Sequence, residues 1–335
     1  MKIAVIGATG SVGYDLLMAL SDLEIPFKDV TALASEKSIG KEVSYGENDI
    51  LKVLDLKTFD FSKTQIALLA AGEKTSKEWA PLLVKKGVVV IDLSPAYRLE
   101  PGISLVIPEV NEELLEEYKK KYIIASPRSI VTALATVLAP IKETYGLKRT
   151  VISTYESASD QGRAAMDEVF YQTRAIFTND PLQPQVYPKQ IAFNVIPQVG
   201  SFLKDGKTQA EWEVESELQK ILGESAFIVT CVSVPMFIGH GASLNIEIEK
   251  TCTLSQLRQL LKDSPSVSVV DHPVDGGYVT PAECGGEDQI YVSRVRMDHS
   301  VNNGVSLWVA ADSARRCVAL NAARIAHKLI TEYIE

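Results

Sequence analysis

Residues 2–13 read KIAVIGATGSVG: an apolar run, three glycines (Gly7, Gly10 and Gly13) and the opening of an amphipathic stretch. An apolar strand that passes through glycines into a helix lets the backbone approach a pyrophosphate and aims N–H groups and the positive helix end at it. The glycine spacing is GxxGxxG, not the commoner GxGxxG, but its place between a strand and a helix gives the pattern its context. The stretch predicts a nicotinamide dinucleotide site, with Gly7, Thr9, Gly10, Ser11, Val12 and Gly13 in the loop and Gly72 after a later strand.

Outward from this loop, KIAVI, DVTALA, IALLA, VVVID and YIIAS read as buried parallel strands. Helices are predicted near 13–21, 76–86 and 112–120, an order that makes this part a doubly wound, Rossmann-like α/β domain. The second strand ends in Ala34-Ser35-Glu36-Lys37-Ser38. A ribose diol is usually held there by an acid, whereas a 2′-phosphate calls for hydroxyls and a cation. Ser35, Lys37 and Ser38 favour NADP, and Glu36 keeps NAD possible.

After Thr150 the texture changes. VISTYESAS, FIVTCVSVPMF, SLNIEIE, IYVSRVRM and VSLWVAA alternate partly with period two between loops rich in Gly, Pro, Asn and Asp. They predict an α+β domain with a mostly antiparallel sheet and helices near 163–177, 210–222 and 254–262. An alanine-rich helix near 314–331 is placed to return to the first domain. The expected domains are 1–129 with 314–335, and 130–313.

The chain has 335 residues, 46% hydrophobic and 23% charged, a globular composition with length enough for two domains. A net charge of −9 lacks the basic footprint of a nucleic-acid binder. No apolar run reaches the roughly 18 residues of a membrane span, and nothing at the start reads as an export signal. Cys231, Cys252, Cys284 and Cys317 are scattered without metal-ligand spacing, so neither a metal site nor a disulfide framework is expected, and a reducing cytoplasm is.

Taken in order, GATGSVG, ALASEKSIGK, IDLSPAYR, IPEVN, STYESAS, IAFNVIPQVGSF, EWEVESELQKIL, TCVSVPMFIGH, SRVRMD and LWVAADSARRCVALNA cover nearly the whole chain. The series resembles the aspartate-semialdehyde dehydrogenase family, and most of all its paralogues without the catalytic cysteine. The resemblance implies an NADP-binding domain, a central catalytic and dimerisation domain, and a homodimer. Family members interconvert β-aspartyl phosphate and aspartate semialdehyde in amino-acid biosynthesis, through a cysteine thioester that exchanges hydride with the nicotinamide.

Carried over by motif, the family pattern puts Ser129 at the nucleophile position and Glu156 where a glutamine orients the acyl group. His240 keeps the proton-handling position. Ser233 stands where an arginine binds substrate, Glu213 where a lysine does, and Leu93 replaces an asparagine. Arg98 and Glu211 remain of the substrate-binding set. A serine hydroxyl supplies almost no anion at neutral pH, whereas a thiol near pKa 8.5 supplies a few per cent. The resemblance thus implies a family member without the standard reaction, with a mixed dimer with a cysteine-bearing homologue left open. An oxidoreductase on another small carbonyl compound, residual semialdehyde dehydrogenase activity, and a triad of Ser129, His240 and Glu156 are the other readings. Cys231 and Cys317 read as core, Cys284 as a loop thiol, and His272, His299 and His327 as solvated or structural.

Overall fold

The computed structural model describes residues 1–334. It separates into two compact units, Met1–Arg128 with the stretch from Cys317 onward, and Ser129–Arg316. Glu335, the last residue of the expected first domain, lies outside the described residues.

The first unit contains strands β1 (Ile3–Ile6), β2 (Val30–Ala34), β3 (Glu42–Tyr45), β4 (Asp49–Lys52), β5 (Leu54–Asp55), β6 (Ile66–Leu69), β7 (Val89–Asp92), β8 (Ser104–Leu105) and β9 (Ile123–Ala125). Seven of them form one sheet in the order β5-β2-β1-β6-β7-β9-β8, with every pair parallel. β1, β6 and β7 are buried at every position, as continuous apolar runs must be when both faces of a parallel sheet are covered. β3 and β4 pair separately as an antiparallel hairpin that the sequence reading did not include.

Helix α1 (Ser11–Asp22) buries Gly13, Leu16, Leu17, Ala19 and Leu20 on one stripe, and α2 (Glu73–Val84) follows β6. The helix expected near 112–120 is broken. After the short α3 (Pro108–Asn111), residues Glu112–Glu117 form a 3-10 turn and only α4 (Tyr118–Lys121) is α-helical. The buried positions of this stretch, Leu115 and Tyr118, are three apart, the repeat of a 3-10 turn.

In the second unit, α5 (Ser129–Tyr145) leads into β10 (Leu147–Glu156), α6 (Arg163–Thr178), α7 (Gln209–Leu222), β11 (Ala226–Ser233) and β12 (His240–Ile248). Then come α8 (Leu254–Asp263), β13 (Val267–Val269), β14 (Ile290–Asp298) and β15 (Gly304–Ala311). The sheet order is β11-β10-β12-β15-β14-β13, with three antiparallel pairs at the centre and a parallel pair at each edge. Along β10, Thr150, Ile152, Thr154 and Glu156 are buried while Val151, Ser153 and Tyr155 are half-buried. That alternation gives the sheet one covered face, and α5 lies against it on β10, β12, β14 and β15.

The helix expected at 314–331 is helical but not uniform. Residues Arg315–Leu320 and Leu329–Tyr333 form wide π turns on either side of α9 (Asn321–Lys328). Ala319, Ala322, Ala323 and Ala326 are buried in the core of the first unit, where small side chains let the helix lie close.

Asp298 closes the turn between β14 and β15. The Ser300 N–H donates to its Oδ1 at 2.8 Å, and Asn245 donates to its Oδ2. Those bonds, first the one from the Ser300 backbone, draw the carboxyl down to about 2. A depressed carboxyl stabilises the fold above its unfolded value and loses that contribution as pH falls through the folded one. We expect the melting-temperature deficit of Asp298→Ala to be largest above about pH 4 and to shrink toward pH 2; a deficit independent of pH would contradict this account.

Candidate active site

The glycine loop fits a dinucleotide. Gly7 has φ +94°, and a Cβ there would lie 2.7 Å from the Ala70 carbonyl carbon. A Cβ on Gly13 would meet the Gly7 oxygen at 2.2 Å. Gly10 caps α1 without a side-chain bond, and no acid stands in the first turn. The N–H groups of Ser11, Val12 and Gly13 belong to that turn, which has no partner for them inside the helix. Gly72 has φ +83° and open space where a Cβ would stand. Thr9 Oγ1 donates to Ser38 Oγ at 3.3 Å, joining the loop to the 3-10 turn Glu36–Ser38. Ser35 and Lys37 of that region are exposed, available to a phosphate group.

The second unit gathers a different set. β10 pairs with β11 and β12 so that Ser233, Glu156 and His240 stand in one row across three strands. All three are buried. Ser129 opens α5, which lies over the same face, and its Oγ is 2.8 Å from His240 Nε2. The turn after β10, Ala158–Gln161, completes the group. Asp160 Oδ1 accepts from Ser129 Oγ at 3.3 Å, and its Oδ2 lies 3.2 Å from His240 Nδ1. That second contact is close but poorly aligned for a hydrogen bond. Gln161 Nε2 donates to Ser233 Oγ at 3.1 Å. Thr154 Oγ1 donates to Glu156 Oε1 at 2.9 Å.

Ser129 and His240 are therefore brought together, and Asp160, absent from the sequence reading, is the acid touching both. Its signal was the Asp-Gln-Gly segment directly after STYESAS, a turn signature at the end of a strand. Glu211 serves in a capping box: Thr208 N–H donates to its Oε2 at 2.7 Å and Cys231 N–H to its Oε1 at 3.1 Å. Glu213, two residues further into α7, accepts from Gln209 at 2.9 Å. Arg98 is buried in the first unit, donating to the carbonyls of Ser126 at 3.1 Å and Leu93 at 2.9 Å. Cys284, read as a loop thiol, is fully buried, and burial followed by the charge of Asp312 pushes its thiol up to about 12. A thiol held protonated in this way is no nucleophile.

A parallel-sheet unit whose glycine loop fits a dinucleotide, joined in one chain to a mixed-sheet unit, is the architecture of two-domain nicotinamide-dependent dehydrogenases. Comparison with known proteins makes the family explicit. The models "Semialdehyde dehydrogenase, NAD binding domain" and "Semialdehyde dehydrogenase, dimerisation domain" match residues 2–118 and 138–316. An aspartate-semialdehyde dehydrogenase of Rickettsia bellii is 41% identical over 99% of this chain and 98% of its own, and one from Aquifex aeolicus is 39% identical with the same coverage. The crystal structure of aspartate semialdehyde dehydrogenase II from Vibrio cholerae, complexed with ASA, superposes with a TM-score of 0.95 at 35% identity, covering 99% of both chains. The chain belongs to the aspartate-semialdehyde dehydrogenase family. Its dimerisation-domain match supports a homodimer, and no helix among the described residues is long and apolar enough to cross a membrane.

Proposed function

We propose that this chain is an aspartate-semialdehyde dehydrogenase-like protein that binds NADP and does not carry the family's standard reaction at an appreciable rate. The observation that carries the reading is Ser129, a hydroxyl in the nucleophile position, with the Asp160 carboxylate 3.3 Å from its Oγ. Bound at the glycine loop, the dinucleotide supplies the hydride. Ser35, Lys37 and Ser38 supply the hydroxyls and cation that suit a 2′-phosphate. Glu156 puts a carboxylate where the family glutamine orients the acyl group, and Ser233 and Glu213 provide no cation for a doubly anionic acyl phosphate. An ester of Ser129 would also be less reactive toward hydride than a thioester. Losing a nucleophile that acts as part of a unit costs on the order of a millionfold in rate, about 8 kcal/mol of barrier.

The test is NADPH formation by the purified protein from aspartate semialdehyde and phosphate. We expect a rate at least about ten-thousandfold below that of a cysteine-bearing relative; a rate within tenfold of it would overturn the reading. The intact glycine cradle supports a second reading, hydride transfer to another small carbonyl compound with His240 as the proton carrier. NADPH consumption in a panel of small aldehydes and ketones, abolished by His240→Ala, would establish it. A cytoplasmic location, and a mixed dimer with a cysteine-bearing homologue, belong to the first reading.

A further inference from the structure

We infer that Ser129, His240 and Asp160 form an acyl-transfer site for neutral, short-chain esters, an activity that needs no nucleotide. The inference rests on the reading that Ser129 occupies the family's nucleophile position without doing the family's chemistry.

A serine nucleophile needs a base within about 2.6–3.2 Å of its oxygen, and a group that stabilises the base once it is protonated. His240 Nε2 stands 2.8 Å from Ser129 Oγ, and Asp160 Oδ2 stands 3.2 Å from the other ring nitrogen. The imperfect alignment of that last contact matters little to its electrostatic part, because an imidazolium is stabilised by a carboxylate at this distance whatever the angle. Ser129 is the first residue of a 17-residue helix, so its backbone belongs to a first turn whose N–H groups have no partner inside the helix and whose positive end favours a developing oxyanion. The backbone of the turn at Asp160 and Gln161 is exposed, which gives the cluster an edge on solvent.

The side chains along the row select the substrate. Ser233 stands where the family pattern has a substrate-binding arginine, so this row offers a carboxylate-bearing ester no cation at that position and leaves a neutral ester unopposed. Ser233 and Gln161 line the same row with neutral polar groups.

The chemistry balances without a co-reactant other than water. Ser129 Oγ bonds to the carbonyl carbon as the ester C–O bond breaks, and the serine proton passes through His240 Nε2 to the departing alkoxide. Water then gives a proton to Nε2 and its oxygen to the acyl carbon, the Ser129 ester bond breaks, and Nε2 returns the proton to Ser129. The products are a carboxylic acid and an alcohol.

Two measurements on the full chain test this, both without nucleotide. The first is hydrolysis of p-nitrophenyl acetate, where Ser129→Ala is expected to lower kcat at least about a hundredfold and His240→Ala by a similar factor. Asp160→Asn, as a positioning change, is expected to lower kcat with KM little altered and to shift the pH profile of kcat. The second is labelling with an alkyl fluorophosphonate followed by peptide mass spectrometry, which is expected to place the adduct on Ser129 and to lose it in Ser129→Ala. Unchanged hydrolysis in a folded Ser129→Ala variant, or an adduct on any other residue, overturns the proposal. Because neither measurement involves NADPH, its failure leaves the semialdehyde dehydrogenase assay to judge the reading beneath it.

Discussion

Gly13→Val is expected to lower NADP affinity by at least about a hundredfold, equivalent to about 2.7 kcal/mol, with a lower melting temperature as a companion effect. A Cβ at position 13 would sit 2.2 Å from the Gly7 oxygen and 2.8 Å from the Ala8 Cα, both backbone atoms that no rotamer change can move. The start of α1 would have to withdraw by roughly an ångström to reach ordinary contact distance, and overpacking of that kind costs about 1–3 kcal/mol or more. The same withdrawal carries the N–H groups of the first turn off the pyrophosphate. Gly10→Ala is the control. Gly10 has φ −82°, and its Cβ would stand 3.4 Å from the Gly7 oxygen, a contact that small adjustment relieves. Titration calorimetry with NADP on both variants measures the contrast, and equal affinities for Gly13→Val and Gly10→Ala would show that helix placement does not control the site.

That contrast also marks how far the sequence could be read. All three glycines look alike in GATGSVG, yet only Gly7 and Gly13 are demanded by backbone contacts with residues near and far. The parallel strands were legible because apolar runs such as IALL are buried on both faces and bounded by turns. Helix α5 was not, although it carries Ser129. From Ser129 to Ala139 every residue is buried, so the stretch has no charged, solvent-facing side, and only Ser129, Thr132 and Thr136 mark a helical period in it. Pro140 inside it added a further contrary signal. The site was partly legible. Ser129 and His240 are 111 positions apart, and only their place in family motifs linked them before the structure put them 2.8 Å apart. Asp160 enters through the turn after β10, and the path of a turn across a neighbouring helix end is not written in local sequence. Glu211 shows the converse: Thr208 with Glu211 is a capping-box pattern, and this local explanation is legible without any substrate.

Ser129→Cys alone is expected to raise semialdehyde dehydrogenase activity by less than tenfold, whereas combining it with Asp160→Asn, Glu156→Gln, Glu213→Lys and Ser233→Arg is expected to raise it at least about a thousandfold. The single change supplies the right atom at the end of a helix, a location that favours a thiolate. It also leaves that atom facing Asp160, whose Oδ1 is 3.3 Å from the present hydroxyl oxygen. Two like charges about 4 Å apart repel by about 1 kcal/mol in water and about 4 kcal/mol at an effective dielectric near 20. With the Asp160 side chain 15% exposed, the repulsion lies between these limits and opposes the build-up of thiolate charge on this atom. A neutral amide at 160 removes this term while preserving shape. The remaining three changes act on the substrate instead: an arginine at 233 and a lysine at 213 offer its anionic groups a partner, and a glutamine at 156 supplies an N–H donor where the carboxylate only accepts. The Ser233 side chain is fully buried and bonded to Gln161, so the arginine must displace that contact, and circular dichroism of the combined variant must first show native structure. Rates from aspartate semialdehyde, phosphate and NADP then decide the matter. Recovery by Ser129→Cys alone to within tenfold of a cysteine-bearing relative would show that the nucleophile was the only missing part, and that the acidic row around it never opposed the substrate.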